Sequence, residues 1–294
     1  MRKVWIDTDI GSDIDDAVAL LCAARHPEIE VVGVSTVYGR VEARQWLAQE
    51  LLSRAGLDLL VLAGAITPLG GQAPPEELPS YETLAPVHLT RLSAEHDELR
   101  ANSIATAMRV AEEFDLITIG PLTNIGRMLA SDPGIASCWR SVTCMAGRLE
   151  GDPERNAPEY NIWCDPVGAK LVFQRTNPKL VGLEACSDIL TRPEVEALLN
   201  LADPASAFLL DCYREYRNRG GTVREEAPLT LFDAITLLSL VAPEAFLFDE
   251  LRVAMDASGR LRLTDDGVPV SYARSSEWGK IKPVLESLLR RRSY

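Results

Sequence analysis

The stretch "VWIDTDIGSDIDDAVAL", residues 4–20, runs an apolar segment into five aspartates: Asp7, Asp9, Asp13, Asp15 and Asp16. Val4, Trp5 and Ile6 read as a buried strand, and the apolar residues that follow Asp15 and Asp16 return at helical spacing. The acids therefore sit on a strand-to-helix loop. In open α/β sheets ligands bind at such loops, outside the carboxyl ends of the strands. Two like charges about 4 Å apart repel by ~4 kcal/mol at the effective dielectric of a protein surface. Five carboxylates gathered there are costly unless a positive charge sits among them.

A helix start favours negative charge through its dipole and free N–H groups, which accounts for one or two of the aspartates but not five. A hard divalent cation with oxygen ligands accounts for the set. An EF-hand loop counted from Asp7 needs glycine sixth and glutamate twelfth; Ser12 and Val18 stand there, so it fails. An aspartate-nucleophile phosphohydrolase would also open Asp-x-Asp after a strand, with Asp7 as nucleophile. Its usual fifth residue is threonine or valine, and here it is Gly11.

The rhythm of this first unit repeats. Apolar β-rich runs occur at "KVWID", "IEVVGVST", "LDLLVLAG", "FDLITIG", "SVTCMAG" and "KLVGLE", separated by helical patterns near 15–25, 42–55, 102–113, 123–131 and 165–175. Continuous apolar strands alternating with amphipathic helices imply an α/β fold, a mainly parallel central sheet flanked by helices. Segments 64–80, 147–161 and 215–228 carry loop chemistry. The tail, "ELRVAMDASGRLRLTDDGVPVSYA", alternates like short antiparallel strands joined by Ser-Gly and Asp-Gly turns, and a last helix spans about 277–291. No linker divides the chain, so one domain over 1–294 is expected.

Composition narrows the partners. The 294 residues are 47% hydrophobic and 25% charged, an ordinary globular balance, and the net charge of −13 argues against nucleic acid or an anionic membrane as partner. Cys22, Cys138, Cys144, Cys164, Cys186 and Cys212 show no zinc-type spacing and lie in or beside apolar runs, where a thiol acts as a small core residue. The N-terminus turns acidic too soon for a secretory signal, and no apolar run is long enough to span a bilayer. A cytoplasmic address is expected.

Five segments, in order, are similar to one family. "DTDIGSDIDDAVAL", "GVSTVYGRV", "TIGPLTNIGRML", "NAPEYNIWCDPVGAKLVF" and "LFDAITLL" resemble the motifs of the inosine-uridine-preferring nucleoside hydrolases, over roughly residues 3 to 245. The resemblance implies a Rossmann-like nucleoside hydrolase fold and hydrolysis of the N-glycosidic bond of ribonucleosides with one bound Ca2+. It implies carboxylate ligands from Asp9, Asp16 and Asp233 and a backbone carbonyl from Thr123. Asp15 would hold a ribose hydroxyl, Asp7 would support the cluster from behind, and Glu159, Asn161 and Asn156 would bind ribose. Asp9, touching metal and water, would be the general base. The family tendency is a homodimer or homotetramer. Asp165-Pro166 is a good helix start by itself, so Asp165 stays outside the site.

Two positions depart from the family pattern. The second-strand block ends Gly39-Arg40 where an asparagine usually touches ribose, and a bulkier, permanently charged arginine alters that contact or binds an additional acidic group. Phe232 occupies the place from which other members supply a histidine acid to the departing base. His26 reads as surface, and His88 and His96 fall in the unpatterned stretch 80–100. Tyr216, with Tyr213, offers an aromatic face or hydroxyl for the base. Besides the small-molecule ribonucleoside hydrolase, a repurposed relative that only binds a ribosyl ligand fits these departures, and the phosphohydrolase stays as the reading from another reaction class.

Overall fold

In the computed structural model, which describes residues 1–70, 80–111, 113–149, 157–186, 188–199, 201–219 and 228–291, strands and helices alternate from the start. β1 (Arg2–Thr8), α1 (Asp15–Arg25), β2 (Ile29–Thr36), α2 (Val41–Arg54), β3 (Val61–Ala63), α3 (Asp97–Val110), β4 (Phe114–Thr118), α4 (Thr123–Ser131) and β5 (Trp139–Met145) form the first half. There follow α5 (Tyr160–Cys164), α6 (Pro166–Thr176), β6 (Lys179–Val181), β7 (Ile189–Leu190), α7 (Arg192–Leu198), α8 (Pro204–Arg217), β8 (Leu229–Thr230) and α9 (Phe232–Val241). β9 (Phe246–Met255), β10 (Leu261–Leu263), β11 (Val268–Ser276) and α10 (Trp278–Arg290) complete the chain.

Among the described residues nine strands form one sheet, ordered β10-β9-β11-β6-β5-β4-β1-β2-β3. The run β3-β2-β1-β4-β5-β6 is parallel throughout and has the doubly wound order, in which the chain direction across the sheet reverses between β1 and β4. The tail strands are antiparallel, as the alternation predicts, but they do not form a separate hairpin layer. β11 pairs β9 antiparallel and β6 parallel, so the tail widens the main sheet.

The period of two along each strand divides the core into two layers. On β1, Val4 and Ile6 pack with α1, α2, α8, α9 and α10, while Trp5 packs on the opposite face with α3, α4 and α6. β4 repeats this with Ile117 and Leu116, and β6 with Val181 and Leu180. Strands covered on both faces read as unbroken apolar runs for this reason. Five of the six cysteines are buried and all are free, as core thiols.

Some boundaries moved. β3 keeps only Val61–Ala63 of the expected run 57–64. α3 begins at Asp97, five residues before the apolar pattern, because the Asp97 carboxylate accepts from the N–H groups of Ile66 and Thr67 and so ties its first turn to the β3 loop. Parts of the expected loops, at 71–79, 150–156 and 220–227, lie outside the described residues. Asp165 caps α6 through the Gly168 N–H at 2.9 Å, with Pro166 at the first helical position.

One buried ion pair locks three helices of the α1 layer. The Arg25 guanidinium, at the end of α1, donates to Asp203 at the cap of α8, to Ser206 Oγ at 3.0 Å, and to the carbonyl of Leu289 in α10 at 3.0 Å. Removing one partner of such a pair strands a charge in the core. Asp203→Ala is therefore expected to cost about 3–5 kcal/mol of folding free energy, read as a lowered midpoint in urea with an unchanged slope.

Candidate active site

The first-strand loop is shaped by glycine and by contacts from residues 80–82. Gly11 adopts φ +129°, and a Cβ there would meet the Glu82 Cβ at 3.3 Å, so a side chain is strained on both counts. Ser80 Oγ donates to the Ser12 carbonyl and the buried Tyr81 hydroxyl donates to the Asp13 carbonyl, each at 2.8 Å. This pinning carries the chain from β1 into α1 with Asp15 and Asp16 in the first helical turn. α1 packs against α9, whose own first turn holds Asp233. Two helix N-termini thus meet with a carboxylate apiece or more, where free N–H groups favour anions.

The alternation of β1 decides which acids share a space. Thr8 points to the α1 layer and donates to the Asp16 carboxylate. Asp7 points the other way, fully buried, accepting from Ser35 Oγ and from Asn124 Nδ2 of α4 at 2.8 Å. Its second oxygen, Oδ2, has no hydrogen-bond partner. Asp9, beyond the strand end, returns to the cavity side. Gly120, just past β4, lies so close that a Cβ there would be 2.9 Å from both the Asp9 nitrogen and Oδ1. Only glycine allows that approach.

The cavity encloses about 290 Å³ and opens at the carboxyl ends of the parallel strands. Asp9, Ser12, Asp13, Asp15 and Asp16 line it from the loop after β1, Ile119 from the end of β4, Met145 and Arg148 from the end of β5, and Leu183 from beyond β6. Ala157 to Asn161 and the pair Phe232 and Asp233 close it. It sits at the β1/β4 reversal, where open α/β sheets part to receive ligands.

Asp15, Asp16 and Asp233 each offer a carboxylate oxygen, and these lie within 4.8 Å of one another. Burial pushes Asp15 up to about 8, with the charge of Asp13 adding to the shift. Burial likewise raises Asp16, aided by the charges of Asp9 and Asp15, and raises Asp233, aided by Asp15, Asp16 and Asp9. Buried carboxylates in this state bind a proton or a cation. An all-oxygen cage of this charge suits a hard divalent ion. Glu159 caps α5 by accepting from the N–H groups of Asn161 at 2.7 Å and Ile162 at 3.2 Å; burial still carries it up to about 6. Asn161 donates to the carbonyl of Met145 at 3.1 Å, which ties α5 to the end of β5.

Of the residues singled out in the sequence, Asp9, Asp15, Asp16, Asp233, Glu159 and Asn161 line one cavity. Thr123 is buried at the start of α4, its hydroxyl donating to Asp165 at 2.7 Å, and Asp7 lies behind the strand end; neither lines the cavity. Arg40, exposed at the cap of α2, pairs with Glu82 at 3.6 Å, away from the cavity walls. Tyr216 is buried and stacks on Tyr213 at 6.5 Å between ring centres, also off the walls. Asn156 lies outside the described residues. His88 and His96 are exposed, and no histidine lines the cavity among the described residues.

Sequence reasoning left Ser12, Met145, Arg148 and Tyr160 without a role, although all four line the cavity. Ile119, Met145 and Arg148 could have been found from strand ends alone, since each follows an apolar β-run. Arg44 of α2 carried no signal: it is an arginine on an amphipathic helix, yet it is 2% exposed and reaches Asp9.

Known proteins resemble this chain over most of its length. The family described as inosine-uridine preferring nucleoside hydrolase matches residues 4–281. A probable uridine nucleosidase 1 of Oryza sativa subsp. japonica is 27% identical over 295 residues, covering 96% of this chain and 90% of its own. The pyrimidine-specific ribonucleoside hydrolase RihA of Photobacterium profundum is 29% identical, covering 91% of this chain and 92% of its own. Among solved structures, a plant nucleoside hydrolase superposes with TM-score 0.79 at 23% identity, over 98% of this chain and 99% of its own. An inosine-uridine preferring nucleoside hydrolase from Bacillus anthracis does so with TM-score 0.76 at 19% identity, over 99% of each chain. The structural likeness at that identity speaks for the fold, and the match over 4–281 speaks for descent: this chain belongs to the inosine-uridine preferring nucleoside hydrolase family, enzymes that hydrolyse N-glycosidic bonds.

Proposed function

We propose that the chain, acting as a single catalytic unit, hydrolyses ribonucleosides to free base and ribose with a calcium ion held by Asp16 and Asp233, Asp15 standing beside them. The observation that carries this reading is the buried carboxylate triad opening on the same cavity as Glu159 and Asn161. Asp9 and the Thr123 carbonyl complete the proposed ligand set. A hard cation there supplies a strong local charge that orients and acidifies water.

The chain's own groups divide the remaining work. Asp9, on the cavity wall, accepts the proton of the attacking water as general base. Glu159 and Asn161, fixed by the start of α5, bind ribose hydroxyls, and Asp15 takes a further hydroxyl. Asp7 and Asn124 brace the strand end behind them. Negative charge around the sugar favours the oxocarbenium-like transition state expected of glycosidic cleavage. Phe232 and Leu183 give the cavity an apolar margin and no proton donor. Release of ribose from a panel of purine and pyrimidine nucleosides tests the reading; no release from any of them overturns it.

Three outcomes are expected. Without a cation the folded state binds protons more tightly than the unfolded chain, because Asp15 sits near 8 and Asp7 near 7 against an ordinary 3.8. Stability then falls as pH rises from about 4 to about 8. The chelated protein should show Tm dropping across this range. Added calcium should raise Tm most at the alkaline end and little near about pH 4–5, where proton uptake releases the ion.

Asp9→Asn keeps an oxygen on the wall but cannot take a proton. Its kcat should fall by about 10²–10⁴, with near-native circular dichroism; a near-native rate would place the base elsewhere.

The leaving group gives the third. General acid help is worth ~10²–10⁴ in rate, and Phe232 provides none. Nitrophenyl riboside, whose leaving group needs little protonation, should be cleaved faster than inosine or uridine, and Phe232→His should narrow the gap. Equal rates on both substrates in the unaltered enzyme would reveal another acid.

A further inference from the structure

Arg44 is the feature that the reading above leaves unused. It belongs to α2 and is among the largest fully buried side chains, although a guanidinium taken out of water costs several kcal/mol. Its Nη1 lies 3.7 Å from Asp9 Oδ2, with side-chain exposures of 2% and 8%, and donates to the Ile10 carbonyl at 3.3 Å. The same charge acts on Asp16, opposing the push from Asp9 and Asp15. The first-strand loop lies against it: a Cβ on Gly11, at φ +129°, would stand in ordinary contact with the Arg44 Cγ at 3.6 Å. Asp9 is thus held between two neighbours, with Gly120 against Oδ1 and Arg44 beside Oδ2.

We infer that Arg44 is a positioning residue for the hydrolytic reaction, a built-in counter-charge that orients the Asp9 carboxylate on the cavity wall. The inference rests on the reading of Asp9 as general base. A dication balances two of the four carboxylates Asp9, Asp15, Asp16 and Asp233, and Arg44 balances a third without occupying a ligand position. The guanidinium keeps its charge at any working pH, and its planar fork reaches a backbone carbonyl while standing beside a carboxylate, which an ammonium on a flexible stem does less well. A purely structural arginine and this one differ in sign at the metal. Loss of a positive charge beside the cage strengthens attraction for a cation, whereas collapse of the cage weakens it.

The test measures nucleoside kcat and KM together with calcium affinity by titration calorimetry, on the full-length protein stripped and reloaded. Arg44→Met removes charge and hydrogen bonds, Arg44→Gln keeps a donor for the Ile10 carbonyl should the methionine variant fold poorly, and Arg44→Lys returns the charge. Both neutral variants should lose about 10- to 100-fold in kcat, the range for partners that orient groups at a metal site, with little change in KM. Their calcium affinity should be equal or tighter, by up to about tenfold, and the lysine variant should recover part of kcat. An unchanged kcat in Arg44→Gln overturns the inference, as does a parallel fall of kcat and calcium affinity. If the unaltered protein binds calcium but releases no ribose from any nucleoside, the proposed activity fails. Weaker calcium binding by Arg44→Gln would then overturn the counter-charge, and tighter binding would sustain it.

Discussion

Mutual repulsion among buried carboxylates is the constraint on which this structure turns. Asp15, Asp16 and Asp233 bring oxygens within 4.8 Å of one another with almost no exposure to water. Each device around them lowers that cost. Two helix N-termini meet at the cluster, the Thr8 hydroxyl donates to Asp16, and Arg44 stands beside Asp9. These reduce the repulsion but leave the acids raised far above their ordinary range, the electrostatic condition of a site completed by a cation. Folding supplies the energy that keeps them together.

That energy comes from the layers on either side of β1. The strand is buried on both faces, so its position relative to α1 and α4 is fixed by packing rather than by the loop that carries the acids. Asp7 extends the same logic. Hydrogen-bonded to Ser35 and Asn124, it belongs to the α4 side of the strand, while Thr8 and the Asp16 it donates to belong to the α1 side. Asp9 stands two residues on, past the end of β1, where the period of two no longer holds it to the Asp7 face, and it lines the cavity.

The cavity is chemically mixed. Its lining combines acids and Asn161 with the apolar Phe232, Leu183, Met145 and Ile119, and adds Arg148 and Tyr160. A polar sugar and a flat, less polar base require such a mixture. The lack of a histidine on that wall among the described residues sets this cavity apart from those that protonate the base with an imidazole.

Much of this was legible in the residues. The apolar runs of β1, β2, β4, β5 and β6 announced a parallel sheet because strands covered on both faces cannot hide their pattern. The aspartate-rich turn announced a strand-end site because carboxylates seldom crowd without a reason. Asp9, Asp15, Asp16, Asp233, Glu159 and Asn161, far apart in the chain, could be named before the cavity that gathers them was known. The sequence could not show that β11 would join β6 and widen the main sheet, since edge pairing depends on which backbone groups remain unpaired after the core has formed. Nor could it keep Arg40 and Tyr216 off the cavity walls, because side-chain direction follows register and helix rotation. Arg44 is the clearest case. An arginine on an amphipathic helix normally faces water, and only the packing of α2 against the glycine-bearing loop turned this one inward to Asp9.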